Sequence, residues 1–436
     1  MPAQMFEIRD RPEMVERALL VGVHASRRDE AQAGNLLEEL KALVGTVGIG
    51  IAEAVLVRAP QGNARYLMGS GKAAETMARA AASACDCIIF DNNLTPSQQR
   101  AWEEESNVTV LDREEVILDI FARRAQTREA RLQVDLARMQ YALPRMARMW
   151  RHLDRQGGGA GGGKGGAGAA RGEGEKQIEV DKRLARDRIA SLRAELEEVR
   201  RIRATQRKER VQNDLPVASI VGYTNAGKSS LLNRLTGSDV PAEDKLFATL
   251  DTTTRRLTLP DNQELLVIDT VGFVRNLPHR LIAAFMATLE EAVLSDFLLH
   301  VVDASSPEAV EQFRTSLEVL HELGAGEKKS VTILNKIDRI GEERRREVAA
   351  AFPSGVLVSL LTGEGLDGLL ATIHELVRDR VVRAGFRIPP ARSDLLARLH
   401  QEGKVLAVDY DGADALVTAI VPKRLQHVFA PFRANA

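Results

Sequence analysis

Val217-Ala218-Ser219-Ile220-Val221-Gly222-Tyr223-Thr224-Asn225-Ala226-Gly227-Lys228-Ser229-Ser230-Leu231-Leu232 runs from a short apolar stretch, through Gly-x-x-x-x-Gly-Lys-Ser, into a helical start. A strand, a glycine-bounded loop and a helix N-terminus in that order form a phosphate cradle. Gly222 and Gly227 let backbone N–H groups turn inward over Tyr223, Thr224, Asn225 and Ala226, and the helix adds its positive dipole end. Lys228 is expected to reach the β- and γ-phosphates, and the Ser229 hydroxyl to ligate Mg²⁺. A glycine-rich turn that binds nothing is the bland alternative for such a motif standing alone.

Three further segments follow in a fixed order. Leu265-Leu266-Val267-Ile268 is an apolar run that ends at Asp269, with Thr270, Val271 and Gly272 behind it. Asp269 at a strand's carboxyl end can hold Mg²⁺ through water, and the Gly272 N–H can meet the γ-phosphate. Between the two motifs lies Phe247-Ala248-Thr249-Leu250-Asp251. Thr249 is assigned the second Mg²⁺ contact, with Thr252, Thr253 and Thr254 as rival hydroxyls nearby. Lys228, Thr249 and Gly272 are thus the expected catalytic set.

Val331-Thr332-Ile333-Leu334 reads as a strand that delivers Asn335-Lys336-Ile337-Asp338. A carboxylate at Asp338 can accept both the N1–H and the 2-amino protons of guanine. Adenine lacks that donor pair and would leave the carboxylate unpaired, which is costly. Val356-Leu357-Val358-Ser359 reads as one more strand, placing the backbone of Ser359, Leu360 and Leu361 near the guanine O6. The four segments together specify GTP over other nucleoside triphosphates.

Many GTPases place Gln directly after Asp-x-x-Gly to orient the attacking water. Phe273 stands there in this chain. Slow unassisted hydrolysis follows, with a partner supplying the missing group or ordering. Asn225 admits two readings: its side-chain carbonyl helps hold a monovalent cation such as K⁺ near the β/γ bridge, or it only hydrogen-bonds the loop.

Size and composition set the frame. The 436 residues are 44% hydrophobic and 28% charged, which suits about three domains of a soluble protein. No apolar run approaches eighteen residues and no signal-peptide pattern opens the chain, so the expectation is a cytoplasmic protein with no membrane span, and a monomer. Cys85 and Cys87 read as small buried fillers on a strand, and the eight histidines form no metal cluster. The net charge of −1 hides a polarity. Residues 121–212 carry 23 Lys and Arg against 12 Asp and Glu, a surplus of 11 that leaves the remainder at −12. Such a basic segment is an electrostatic footprint for nucleic acid, against the alternative of a solvated Arg-rich helix surface.

The expected fold class is α/β in four parts. Residues 1–126 alternate strand and helix: Ala18–Val23, Ile51–Val57, Cys87–Phe90 and Val108–Leu111 read as strands of a largely parallel sheet. Gly69-Ser70-Gly71-Lys72 reads as a turn into a helix, with a weak second nucleotide contact as the alternative. Residues 127–212 form a basic antiparallel helical hairpin. Leu132, Leu136, Met139, Leu143, Met146, Trp150 and Leu153 repeat at coiled-coil spacing, as do Ala185, Ile189, Leu192, Leu196 and Val199. Pro144 should kink or break the first helix. Residues 157–174 join the two; 11 of these 18 are glycine, so the joint is either a flexible spacer or a side-chain-free tip for a narrow site. Residues 213–382 are the P-loop GTPase domain, with a mostly parallel sheet and flanking helices, and residues 386–436 a small C-terminal α/β module.

These residues resemble an HflX-type GTPase over nearly the whole length. The resemblance rests on Tyr66-Leu67-Met68-Gly69-Ser70-Gly71-Lys72, Leu94-Thr95-Pro96-Ser97-Gln98-Gln99-Arg100 and Ile117-Leu118-Asp119-Ile120-Phe121-Ala122. Most specific is Asp269-Thr270-Val271-Gly272-Phe273-Val274-Arg275-Asn276-Leu277-Pro278-His279, running on to Ala284-Phe285 and Thr288-Leu289-Glu290-Glu291. The resemblance implies binding to the large ribosomal subunit and its rRNA, the splitting or rescue of stalled or idle ribosomes, and a hairpin loop that reaches toward the peptidyl-transferase region. Two alternatives remain: a GTP-timed ribosome- or RNA-binding factor without splitting, and an ATP-using RNA remodeller, which no second Walker-type loop supports. Three departures stand out. The stretch Gly172-Glu173-Gly174-Glu175-Lys176-Gln177-Ile178-Glu179-Val180-Asp181-Lys182-Arg183 follows extra glycines where the family loop is shorter. Thr252 replaces a usual Pro, and Leu360 a usual small Ala.

Overall fold

Arg17–His24 (β1), Gly50–Arg58 (β2), Cys87–Phe90 (β3) and Thr109–Asp112 (β4) lie side by side in the order β2-β1-β3-β4, every pair parallel. The computed structural model describes residues 15–60, 62–146, 169–212, 215–238, 246–247, 249–259, 262–276, 289–378 and 381–434, with side chains of the long helix from 179 to 202. Two compact units divide the chain. Unit 1 is residues 1–199, 245–247 and 275–285; unit 2 is the rest.

Unit 1 follows from strands that are apolar on both faces. All four residues of β3 are buried, as a parallel sheet covered by helices requires. The helices Glu30–Val47 (α1), Ser70–Ala82 (α2), Pro96–Ser106 (α3) and Arg113–Arg124 (α4) supply the cover, and Leu19, Val21, Met68, Ile88, Phe90 and Trp102 fill one core. Cys87 lies on β3 whereas Cys85 precedes the strand; both are buried. Gly69 is the N-cap of α2, and Lys72 pairs with Glu75 at 2.7 Å, so this turn serves the helix start.

Leu94-Thr95-Pro96-Ser97-Gln98-Gln99-Arg100 is a piece of framework. Thr95 and Gln98 form a reciprocal capping box at α3, with Pro96 in its first turn. Gln99 is fully buried, donates to the Val110 carbonyl at 2.6 Å and accepts from Arg145 Nε at 2.9 Å. Arg145 also donates to the Leu94 carbonyl (2.7 Å) and to Asp112 (3.3 Å), and its guanidinium lies 3.6 Å from the Tyr141 ring centre. Tyr141 donates to the fully buried Asp112. This network ties the carboxyl edge of the sheet to the first hairpin helix.

That helix, Arg128–Ala142 (α5), is capped by Thr127 and gives way to a 3₁₀ turn, Leu143–Arg145, around Pro144, whose missing N–H cannot continue the ladder. The second is Ala169–Gln212 (α6). Leu132, Leu136, Met139 and Met146 pack against Ala185, Ile189, Leu192 and Leu196, with Leu143 and Val199 alongside. Residues 169–174, expected within the glycine loop, belong to α6 instead. Ala169, Ala170 and Arg171 are strong helix formers and outweigh Gly172 and Gly174, each costing about 1 kcal/mol. The remainder of that loop, with Trp150 and Leu153, lies outside the described residues.

In unit 2, Val217–Gly222 (β5), Thr253–Thr258 (β6), Glu264–Asp269 (β7), Phe297–Asp303 (β8), Ser330–Asn335 (β9) and Val356–Leu357 (β10) order as β10-β9-β8-β5-β7-β6. Only β6, on the edge, runs antiparallel. Helices Lys228–Thr236 (α7), Ala309–Glu322 (α8), Glu342–Ala351 (α9) and Leu366–Val377 (α10) flank the sheet. β10 ends two residues earlier than its apolar run suggests, although the Val358 N–H still donates to the Leu334 carbonyl of β9 at 2.9 Å.

The C-terminal sheet adds a correction. Val381–Ile388 (β11) pairs with Asp414–Pro422 (β13), itself paired with Lys404–Asp411 (β12). The module therefore begins at Val381, not at 386. Ala415, Val417, Ala419 and Val421 alternate inward toward Ser393–Glu402 (α11) and Phe429, the period-2 pattern of a half-buried strand.

Replacing Arg145 with Met leaves Asp112 buried without its cation. R145M should cost about 3–5 kcal/mol in urea unfolding followed by tryptophan fluorescence. A loss under about 1 kcal/mol would show that Tyr141 and the backbone amides suffice for Asp112.

Candidate nucleotide site

β5, β7 and β9 end together on one edge of the sheet, and each hands its motif to that edge. Register does the placing: Ile220 on β5 stands opposite Asp269 on β7. The Thr224 N–H donates to the Phe273 carbonyl (2.7 Å) and the Phe273 N–H to the Gly222 carbonyl (3.1 Å), so loop and Asp-x-x-Gly segment run zipped together. Thr270 Oγ1 donates to the Ile220 carbonyl at 2.6 Å and locks the same pair.

The glycines earn their positions sterically. Gly222 has φ of 143°, and a Cβ there would meet the Val301 carbonyl oxygen at 2.2 Å; at Gly227, with φ of 104°, it would meet Asn335 Nδ2 at 2.3 Å. At Gly272 it would lie 2.7 Å from Lys228 Nζ. Only a bare backbone lets the Asp-x-x-Gly segment approach the lysine.

Ser229, Thr249 and Asp269 converge. Ser229 Oγ is 2.6 Å from Thr249 Oγ1 and 2.7 Å from Asp269 Oδ2. Thr253 and Thr254 are drawn into β6 instead. Asp269 is fully buried, and its Oδ1 has no hydrogen-bond partner among the described residues. Two hydroxyls and a buried carboxylate with a spare oxygen fit a hard divalent cation such as Mg²⁺. Ser229 and Thr249 would hold it directly and Asp269 through water. Bound there, the ion would neutralise charge on the phosphates.

Asn335 connects the remaining parts. Its Nδ2 donates to the Ala226 carbonyl (2.8 Å) and its Oδ1 accepts from the Leu360 N–H (3.3 Å). Lys336, at φ of 68°, donates to the Asn225 carbonyl and pairs with Asp303 at 2.7 Å. Asp338 accepts from Ser359 Oγ at 2.5 Å, which fixes its carboxylate. Leu361 is 80% exposed beside it, while Leu360 packs down at 9%.

Several expected contact residues serve the frame instead. Ile337, Leu250 and Val271 are buried, and Tyr223 bridges Phe273. Phe273 is 1% exposed, a packing residue where a water-orienting side chain would stand. Phe247, expected near the nucleotide, is buried edge-on against Phe121 within unit 1. Asp251 is half-buried, Asn225 is exposed at φ of 60°, and Ala248 lies outside the described residues.

Comparison with known proteins accords with this geometry. Residues 35–122, 124–210 and 217–336 match family models described as GTP-binding GTPase N-terminal, GTP-binding GTPase Middle Region and 50S ribosome-binding GTPase. A GTPase HflX of Akkermansia muciniphila is 57% identical, covering 99% of this chain and 100% of that one. Those of Chlamydia pneumoniae and Lacrimispora saccharolytica are 39% and 42% identical, over 98% and 99% of this chain and 90% and 99% of theirs. The chain belongs to the HflX GTPase family. It is a GTP hydrolase with a P-loop GTPase domain.

Burial sets the electrostatics of this HflX-family site. Lys228 is buried and donates to the Tyr223 carbonyl at 2.8 Å. Burial lowers its pKa to about 8; Asp269 opposes that fall and Lys336 adds to it. Burial likewise lifts Asp269 above the ordinary carboxylate range, against the pull of Lys228, Ser229 and Thr249. His300 on β8 carries no motif and goes unmarked in the sequence. Burial, helped by Lys228, lowers its pKa to about 3, so it stays neutral and stacks on Phe313 at 4.4 Å.

Phosphate binding favours the Lys228 ammonium and so raises its pKa. Below pH 8 the lysine is charged in both states and affinity is flat. Above pH 8 binding must take up a proton, so GTP affinity should fall by up to about tenfold per pH unit until the bound-state pKa is reached. Calorimetry in buffers of different ionisation heat should find proton uptake at pH 8.5 and little at pH 6.5. No uptake at either pH would show that Lys228 stays charged in the empty site.

Proposed function

We propose that this GTPase binds the large ribosomal subunit and its rRNA, and uses GTP binding and hydrolysis to part ribosomal subunits or rescue stalled ribosomes in the cytoplasm. The observation that carries the nucleotide half is the convergence of Ser229, Thr249 and Asp269, with Asp338 held at the far end of the same edge. The ribosomal half is supported by the description of the model matched over 217–336 and by the surplus of 11 positive charges in residues 121–212.

In this reading Lys228 and the backbone from Gly222 to Ser229 cradle the β- and γ-phosphates. The Gly272 N–H and Thr249 sense the γ-phosphate. Asp338 reads guanine through N1–H and the 2-amino group, with the backbone of Ser359, Leu360 and Leu361 at O6. With Phe273 packed away from the phosphates, no side chain directly after Gly272 orients water, so hydrolysis is slow until a ribosome orders the site. Asn225 keeps both its readings; faster turnover in potassium than in sodium favours the cation, and equal rates favour the loop tie.

Asp338→Asn should lose GTP affinity and gain xanthosine triphosphate, because an amide donates where the carboxylate accepted. An unchanged preference between the two nucleotides would remove the guanine assignment.

With intact ribosomes, a non-hydrolysable GTP analogue and near-physiological salt, light scattering should fall as subunits separate. Turnover on large subunits should rise more than about tenfold and decline with added salt, since counterion release drives docking. Binding without a scattering change would mean a GTP-timed factor that does not split. Salt-insensitive stimulation would rule out the basic hairpin as the docking element.

A further inference from the structure

Asp338 is exposed, so burial does not hold its carboxylate. A closed circuit of hydrogen bonds through α9 does, and all of it lies within unit 2. Asp338 Oδ1 accepts from the hydroxyl of the fully buried Ser359 at 2.5 Å. Ser359 opens a tight turn: its N–H donates to the Glu364 carbonyl (2.9 Å) and its carbonyl accepts from the Gly363 N–H (2.8 Å). The Glu364 carboxylate meets a fork from Arg345 on α9, Nη1 to Oε1 at 2.7 Å and Nη2 to Oε2 at 3.2 Å. The same Nη2 donates to the Ile337 carbonyl at 3.1 Å, in the peptide that leads into Asp338. Glu342 stands 3.9 Å from this guanidinium, beyond hydrogen-bonding distance. One planar group thus touches both of the chain segments that meet at the Asp338 carboxylate. The segment it steadies is a demanding one, since Lys336 just ahead has φ of 68°, a conformation other residues than glycine keep only when their surroundings fix it.

We propose that Arg345 is a positioning residue for guanine specificity. Its fork spaces Ile337 from Glu364 and so aims the Asp338 carboxylate. The inference rests on Asp338 reading guanine through N1–H and the 2-amino group, and it adds a residue one step behind the pocket. A carboxylate accepts two parallel donors only when its plane matches theirs, whereas a single donor is met over a wider range of rotations. Loosening Asp338 therefore costs guanine more than hypoxanthine, which keeps N1–H and lacks the 2-amino group. Shape matters here more than charge. The side chains of Arg345 and Glu364 are 24% and 50% exposed, and an ion pair so open to water adds little to folding. A lysine ammonium would keep the charge but lack the planar fork that spans Glu364 and Ile337.

The test titrates the full chain with GDP and with inosine diphosphate in Mg²⁺, comparing Arg345→Met, Arg345→Lys, Glu364→Ala, the Arg345→Met/Glu364→Ala double variant and Asp338→Ala. R345M should bind inosine diphosphate within about twofold of the parent and GDP about fivefold more weakly, in the range of coupling within one hydrogen-bond network. R345K should lose the preference for GDP as R345M does. E364A should shift the same ratio in the same direction, and the double variant should lose no more than the larger single loss. Equal weakening of the two nucleotides, or of neither, overturns the inference. So does an additive double variant, or a preference kept in R345K. If D338A leaves the preference for GDP intact, the guanine assignment of Asp338 fails and the inference with it. If D338A abolishes the preference and R345M does not shift it, only the positioning role fails. Should R345M not fold, E364A alone decides, since it empties the fork at a half-exposed side chain: a selective loss of GDP affinity supports the role, and an unchanged ratio overturns it.

Discussion

The site depends on one desolvated carboxylate. Asp269 is fully buried at the end of β7, and an ion taken that far from water costs several kcal/mol even after relaxation. The site offsets that cost with the Lys228 ammonium and the hydroxyls of Ser229 and Thr249, the groups that lower the Asp269 pKa. Lys228 is in the same position, buried and leaning on Asp269 and the Tyr223 carbonyl. Each charge is tolerable because the other is near. A chain that buries both must bring β5 and β7 into one register, and the Thr270–Ile220 hydrogen bond holds that register where the charges meet. The Gly222–Ser229 loop and the Asp269 carboxylate are therefore one electrostatic unit.

A second connection works by hydrogen bonds alone. Asn335 joins the Ala226 carbonyl, on the phosphate loop, to the Leu360 N–H, on the segment that would face the guanine O6. Its amide sits so close to Gly227 that any side chain there would collide with it. The second motif glycine thus answers to β9 as well as to its own loop. Displacing Asn335 would loosen both ends of the pocket together, since each arm of its amide is committed to a different loop.

Legibility followed chemistry. Ser229, Thr249, Asp269, Asn335 and Asp338, which the structure brings to one edge of the sheet, could be named from sequence because phosphate, cation and guanine would each demand particular atoms at particular offsets. β8 and β6 escaped notice for the opposite reason. Phe297–Asp303 is buried and apolar with a neutral histidine inside it, and Thr253–Thr258 reads Thr-Thr-Arg-Arg-Leu-Thr on an edge, without the period-2 pattern that marks a half-buried strand. The seat of the Phe247 ring on Phe121 was not legible, because proximity in sequence to Thr249 says nothing about which way the ring turns. The glycine loop was drawn too long because composition weighs Gly172 and Gly174 but not the helix formers around them. β11 was missed because Pro389 and Pro390 draw the eye to a boundary, while the alternation of Val382, Ala384, Phe386 and Ile388 that pairs it with β13 is weak.

The segments most specific to the family divide by the same logic. Asp269 to Gly272 lie on the edge where the nucleotide motifs meet, whereas Leu94-Thr95-Pro96-Ser97-Gln98-Gln99-Arg100 and Ile117-Leu118-Asp119-Ile120-Phe121-Ala122 serve the frame of unit 1. Gln99 and Leu94 meet Arg145 at the foot of the hairpin, and Phe121 receives the ring of Phe247. Buried polar networks of this kind specify one arrangement rather than add much net stability, since every partner must be present for any to be tolerated. A sheet edge joined to a helical hairpin by a buried Arg145–Asp112–Tyr141 cluster has one way to assemble. What these signatures encode within unit 1 is the direction in which the basic hairpin leaves the sheet, fixed by the Arg145, Asp112 and Tyr141 contacts.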